Sequence, residues 1–186
     1  MLVSLALVTF GFWIGAIPFG VLLARRLGVT IQDHGSGNIG ATNVARVLGP
    51  VPGAIVLVLD MAKGALAVTA ALQLCGWPWT VALTAFAAIA GHCFSPFLRG
   101  KGGKGVATAF GAFLVLAPAL ALLAVVAFLI VFRLTRVPAL GSLAGIAALA
   151  VLHVHRGDAP YAALAIATTA LLVYTHRSNL AKLRTR

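Results

Sequence analysis

The chain has 186 residues, of which 61% are hydrophobic and 9% charged, with a mean hydropathy of +1.06. An ordinary soluble domain carries about 25% charged residues, so the long apolar runs mark an integral membrane protein. The formal net charge is +11, from 14 Lys and Arg against three acids, Asp33, Asp60 and Asp158, with no Glu. Such a surplus reads either as topogenic loops retained in the cytoplasm or as anion binding, and position must separate the two.

In chain order, apolar segments fall near 1–24, 51–74, 78–97, 105–132, 137–153 and 159–175. The first lacks a basic n-region and exceeds a signal-peptide h-region, so it is read as a retained span. A helix needs roughly 20 residues to cross a bilayer. Most segments therefore supply one crossing, but 105–132 is long for one and short for two, with Pro118 near its middle. A single crossing there would put Arg133, Arg136 and the tail residues Arg177, Lys182, Arg184 and Arg186 outside, against the positive-inside bias. A break near Pro118 returns all of them to the cytoplasm and leaves Arg156 external. The expectation is an all-α polytopic membrane protein in which residues 1–186 form a single domain. It has seven transmembrane helices, the N-terminus outside and the C-terminus cytoplasmic. Tilt, local thinning or burial in protein must then make up the short crossings. Small residues within spans, as in 84-TAFAAIAG-91 and 144-AGIAALA-150, predict close helix packing. Cys75 and Cys93 form no disulfide framework or metal-ligand spacing.

Two glycine-rich stretches, 34-HGSGNIGATN-43 and 100-GKGGKG-105, fall on the cytoplasmic side of this topology. Glycine lets a backbone approach a ligand closely, and successive N–H groups in such turns form anion-binding nests. The second stretch leads straight into an apolar helix, whose N-terminal N–H groups and partial positive charge add to Lys101 and Lys104. Phosphate is the ligand this chemistry suits. The second stretch is not a Walker A loop, since Gly105 follows Lys104 where Ser or Thr is required. Gly35, Gly37 and Gly40 match GxGxxG, and Asp60 lies twenty residues further on, but the flanking segments are membrane spans rather than a βαβ unit. Glycines used only as tight turns would account for one such loop less awkwardly than for two.

Asp60 and Lys63 lie three apart within a span and share a helix face. They are either a self-neutralising pair that locks helices together, or Lys63 joins the phosphate site with Asp60 orienting it. His92 adjoins the second loop as a base, a donor or a structural residue. His153 and His155 would be loop residues on the far side, without a third metal ligand. His176, Arg177 and Asn179 form a polar cap over the cytoplasmic site or a basic stretch against lipid headgroups.

Taken together, GSGNIGATNVARVLG, DMAKG, GHCFSPFLRGKGGKGVAT and the terminal HRSN resemble the bacterial acyl-phosphate:glycerol-3-phosphate acyltransferases, the PlsY family, over essentially the whole chain. The resemblance implies transfer of a fatty acyl group from acyl phosphate to the sn-1 hydroxyl of glycerol-3-phosphate, giving lysophosphatidic acid and inorganic phosphate. It implies a multi-pass protein of the bacterial inner membrane that starts phospholipid synthesis, with its site facing the cytoplasm. It implies no cofactor, no metal, no nucleic acid and no obligatory protein partner, the membrane lipid aside. Carried over by motif, Ser36, Arg46, Lys104, His176 and Asn179 form the catalytic set, with Ser142 beside them in binding glycerol-3-phosphate. Asn38, Gly40, Thr42, Asn43, Gly102 and Gly103 hold the acyl phosphate and its developing oxyanion, with Lys63, His92 and Lys101 also on the substrate-binding side. The chain departs from the family at Val137 and Ala139, where an aromatic residue and a Ser are commoner, and at Pro96, one place later than usual. It also lacks an acid after HRSN. These departures bear on substrate affinity rather than reaction type. An anion transporter and an acyltransferase with a thioester donor are the competing readings. The first requires a polar path to the outside, where only His153, His155, Arg156 and Asp158 stand. The second requires a nucleotide or carrier site, for which the short loops leave little room.

Overall fold

The computed structural model describes residues 1–183, whose regular structure is helical, with no strand among them. Arg184 and Arg186, counted above in the basic tail, lie outside the described residues. Ten α-helices follow in order: α1 (Leu2–Ala16), α2 (Phe19–Arg26), α3 (Ala41–Leu48), α4 (Pro50–Leu74), α5 (Pro78–Cys93), α6 (Val106–Leu116), α7 (Pro118–Thr135), α8 (Pro138–His155), α9 (Ala159–Thr175) and α10 (Arg177–Ala181). Short 3₁₀ turns occupy Ile31–Asp33 and Pro96–Leu98.

Prolines set many of these boundaries. The first apolar run breaks at Ile17 because Pro18 disfavours α geometry in the residue before it, and Ile17 is extended at φ −59°, ψ 119°. The long run at 105–132 breaks at Ala117, where the sequence places it, and Pro118 opens α7. Five segments are long and apolar enough to cross a membrane: Leu2–Arg26, Pro50–Leu74, Pro78–Leu98, Pro118–Thr135 and Pro138–His155. Val106–Leu116 and Ala159–Thr175 are apolar but shorter. At 1.5 Å per residue α6 is only about 16 Å long. Its face of Thr108, Ala109, Gly111, Ala112 and Phe113 is buried in protein, which satisfies a short helix without exposing its ends to lipid.

Glycines bring the helices together. Gly15 lies against the backbone of Ala88, Gly11 against the carbonyl of Thr84, and Gly91 against the carbonyl of Phe12, so α1 lies directly on α5. A methyl group at any of the three would overlap backbone atoms. The small-residue run of α5 thus serves the close packing expected of it, and α5 becomes the most enclosed of the spans. Gly64 and Gly111 do the same where α4 crosses α6, meeting the carbonyls of Thr108 and Met61.

Chain direction collects the polar segments at one end. The 27–40 and 94–105 connections, the α7–α8 turn and α10 all lie there, opposite the α4–α5 and α8–α9 turns. Thr175 at the end of α9 donates to the Lys104 carbonyl at 3.1 Å, which closes this end. A small cluster of Val21, Ala24, Ile31, Ile39, Val44 and Val56 underlies the first loop, and Leu98 of the second packs against it. His153 and His155 are not loop residues: they finish α8, and His153 is buried between Phe113 and Tyr161, with ring centroids 5.8 and 6.0 Å away. The helix runs on because no breaker intervenes before Gly157, which adopts positive φ.

Candidate active site

The first glycine stretch is organised by one side chain. Asn43 is 2% exposed. Its Oδ1 accepts from the Ser36 amide at 2.8 Å and from the Arg46 guanidinium at 3.1 Å, and its Nδ2 donates to the His34 carbonyl at 3.0 Å. Three of the four bonds an asparagine amide can make are therefore spent within the loop. Asn43 holds Ser36 and Arg46 in place, and those two are exposed at the loop surface with Thr42. Asn38 accepts from the Gly40 amide at 2.8 Å, an Asx turn that leads into α3. The second half of this stretch is thus a helix, whose first-turn N–H groups carry no side-chain cap.

The second stretch is fastened at two points. The amides of Gly102 and Gly103 donate to the carbonyls of Cys93 and His92, both at 3.0 Å. Side chains are excluded there, since a Cβ at Gly102 would overlap the His92 carbonyl and one at Gly103 the His92 ring. Both amides are thereby committed to the end of α5. The N–H groups available to an anion are those from Lys104 into the first turn of α6, which again lacks a side-chain cap. At the other fastening, the Lys104 ammonium donates to Asn179 Oδ1 at 2.5 Å and Thr175 holds the Lys104 carbonyl. Thr175 went unnoticed in the sequence, as did Ser95, which is 1% exposed and donates to the Ala16 carbonyl at 2.6 Å. Both precede or sit within polar motifs that drew attention for their charged members.

Lys104 is half-buried, and its pKa lies below the ordinary lysine value. Desolvation is the main cause, followed by the positive charges of Arg46 and Lys182. The two glycine loops and the tail therefore share one electrostatic field. The ion pairs among the described residues draw on Asp60 and Asp158, and neither Arg46 nor Lys104 takes part in one. His176 is buried, and its Nδ1 lies 2.8 Å from the Leu172 carbonyl. A carbonyl only accepts, so Nδ1 carries the proton and Nε2 is left an acceptor. Burial pushes its pKa down to about 4, with Lys104 adding to the effect.

Of the remaining candidates, Lys101 is exposed on the second loop. Ser142 lies near the start of α8 at the same end of the bundle, with its hydroxyl on the Pro138 carbonyl at 2.9 Å. Lys63 and His92 are 2% and 4% exposed and lie beneath the loops, grouped around Asp60.

Comparison with known proteins shows the family. The family profile described as glycerol-3-phosphate acyltransferase matches residues 5–186. The chain belongs to the glycerol-3-phosphate acyltransferase family. A glycerol-3-phosphate acyltransferase of Myxococcus xanthus is 47% identical over 184 residues, covering 97% of this chain and 96% of the relative. One from Thermus thermophilus is 43% identical, covering 91% and 86%. The crystal structure of PlsY (YgiH), an integral membrane glycerol 3-phosphate acyltransferase, in its glycerol 3-phosphate form superposes with a TM-score of 0.94. It has 36% identity and covers 98% of this chain and 92% of that one. Its lysophosphatidic acid form gives 0.92. This acyltransferase is therefore an integral membrane enzyme with the PlsY fold.

Proposed function

We propose that this acyltransferase takes its acyl group from acyl phosphate and delivers it to the sn-1 hydroxyl of glycerol-3-phosphate, releasing lysophosphatidic acid and inorganic phosphate. The observation that carries the reading is Lys104, a half-buried ammonium in the field of Arg46 and Lys182, at the point where both glycine loops meet. Both substrates bear phosphate, and a basic pocket poor in carboxylates suits two of them. The crystal forms of the related PlsY, one with glycerol 3-phosphate and one with lysophosphatidic acid, support this choice of acceptor and product.

On this reading Ser36, Arg46, Lys104, Ser142, His176 and Asn179 bind glycerol-3-phosphate. The acyl phosphate lies with its tail among the spans and its head on the N–H groups from Lys104 into α6. The glycerol oxygen attacks the carbonyl carbon, the bond from that carbon to the phosphate oxygen breaks, and phosphate leaves. A substrate phosphate oxygen takes the hydroxyl proton. With its pKa near 4, His176 is a weak base, and its Nε2 serves to orient a hydroxyl. Phosphate is already a good leaving group, so positioning and electrostatic stabilisation carry the catalysis. The seven crossings, with these loops on the cytoplasmic side of a bacterial inner membrane, are part of the same proposal.

The test is acyl transfer to labelled glycerol-3-phosphate by purified protein in detergent or lipid, offered acyl phosphate or acyl-CoA. Lysophosphatidic acid is expected from acyl phosphate alone. Lys104→Ala should lower the rate by about 10²–10³-fold, the usual loss on removing a transition-state donor. Product from acyl-CoA overturns the donor, and an acyl group trapped on Ser36 overturns direct attack.

A further inference from the structure

The buried cluster beneath the second loop holds more than helix locking requires. Asp60 is 2% exposed in the middle of α4. Its Oδ1 lies 2.9 Å from the Lys63 ammonium, and Lys63 donates to the Ile17 carbonyl at the α1–α2 break at 3.0 Å. That pair alone neutralises itself and ties α4 to α1. A third group is nonetheless drawn in: His92 Nδ1 faces the same Asp60 oxygen at 3.5 Å. Asp60 Oδ1 is satisfied by Lys63, but His92 Nδ1 is buried with no hydrogen-bond partner beyond this longer approach. Orphaned buried polar atoms are costly and ask for an explanation. The opposite tip of the same imidazole, Nε2, abuts Gly103, the one place in the loop where any side chain would displace it.

We propose that Asp60 is a positioning residue for acyl transfer, acting through the His92 ring to set the Gly102–Gly103 end of the second loop. This inference rests on the reading of that loop as the acyl-phosphate site. The two fastenings of the loop make the effect selective. Lys104 is held from the end of α9 and from α10, its carbonyl by Thr175 and its ammonium by Asn179, whereas Gly102 and Gly103 are held from the end of α5. Disturbing Asp60 therefore shifts the backbone that leads into the N–H groups at the start of α6. It leaves the Lys104 ammonium and the glycerol-3-phosphate groups of the first loop and tail in place.

The experiment uses steady-state acyl transfer in detergent with each substrate varied in turn, beside the melting temperature. Asp60→Asn alone would strand a buried lysine charge, so it is made together with Lys63→Met. The pair variant is expected to melt near the parent and to lose at least about tenfold in kcat/KM for acyl phosphate, equal to about 1.4 kcal/mol of transition-state stabilisation. Its KM for glycerol-3-phosphate should stay within about twofold of the parent. His92→Gln should show the same split, and adding it to the pair variant should cost little more. Unchanged acyl-phosphate kinetics, equal losses for both substrates, or additive losses in the combined variant would each overturn the proposal. Should the pair variant not fold, His92→Gln and Gly103→Ala decide by the same split. A parent protein inactive with acyl phosphate sinks the functional reading itself, and so is distinguishable.

Discussion

Asn43 and Lys104 show how single side chains divide the work. Asn43 spends its amide on the loop that presents Ser36 and Arg46, so its importance lies in placing other groups. Lys104 spends its charge outward, and its lowered pKa comes chiefly from lost water and secondarily from like charges. On the proposed function, a bound phosphate would offset the second cause and favour the protonated lysine. His176 supplies the pH prediction. Its pKa falls from an ordinary 6.5 to about 4, so the folded state holds fewer protons than the unfolded one between these values. The stability due to neutral His176 is full above about pH 6.5 and is lost as pH falls toward 4. The imidazole resonance absent from His176→Gln should not titrate between about pH 5.5 and 8. A midpoint near 6.5 would contradict the buried, carbonyl-bonded ring.

At the scale of elements, backbone contact rather than side-chain volume joins the helices. Gly15 touches the backbone of Ala88 with no space for a methyl group. Gly15→Ala should force α1 from α5 and cost about 1–3 kcal/mol, as overpacking does, with a lower melting temperature in detergent as the readout. An unchanged melting temperature would mean that the helices slide apart without cost. Ser95 reaches from the α5 end to the Ala16 carbonyl, so the same displacement should be felt in the second loop and lower the acyl-transfer rate. Sequence reading anticipated this packing from the small-residue run and the α6–α7 break from Pro118. It missed the break at Ile17, although Pro18 marks it, because the apolar run on either side has the length of a single span. It left α3 unmarked because eight residues rich in polar contacts look like loop until Asn43 and Val44 are seen buried.

Across the whole molecule, the proposed seven crossings make a labelling prediction. That topology would place Cys75, exposed in the α4–α5 turn, outside and the exposed Ser178 of α10 inside. A membrane-impermeant thiol reagent should label Cys75 from the external face only, while the buried Cys93 stays unreactive until denaturation. In a Cys75→Ser background, Ser178→Cys should label from the cytoplasmic face only. External labelling at position 178 would reduce the crossings to six and return 105–132 to a single span.

What the sequence determined unaided is what composition and local pattern dictate: the membrane class, the apolar segments, the cytoplasmic gathering of basic loops as an expectation, and the two phosphate-suited glycine stretches. These are properties of short windows, and the solvent reads them window by window. Only the tertiary structure decided which donors remain available. Gly102 and Gly103 look like anion ligands in sequence, but α5 claims their amides. Asp60 and His92 stand 32 positions apart and meet because α4 and α5 pack side by side. A hydrogen bond satisfied by a distant element, or a buried charge shared among three helices, depends on which surfaces face one another. No local pattern of residues contains that information.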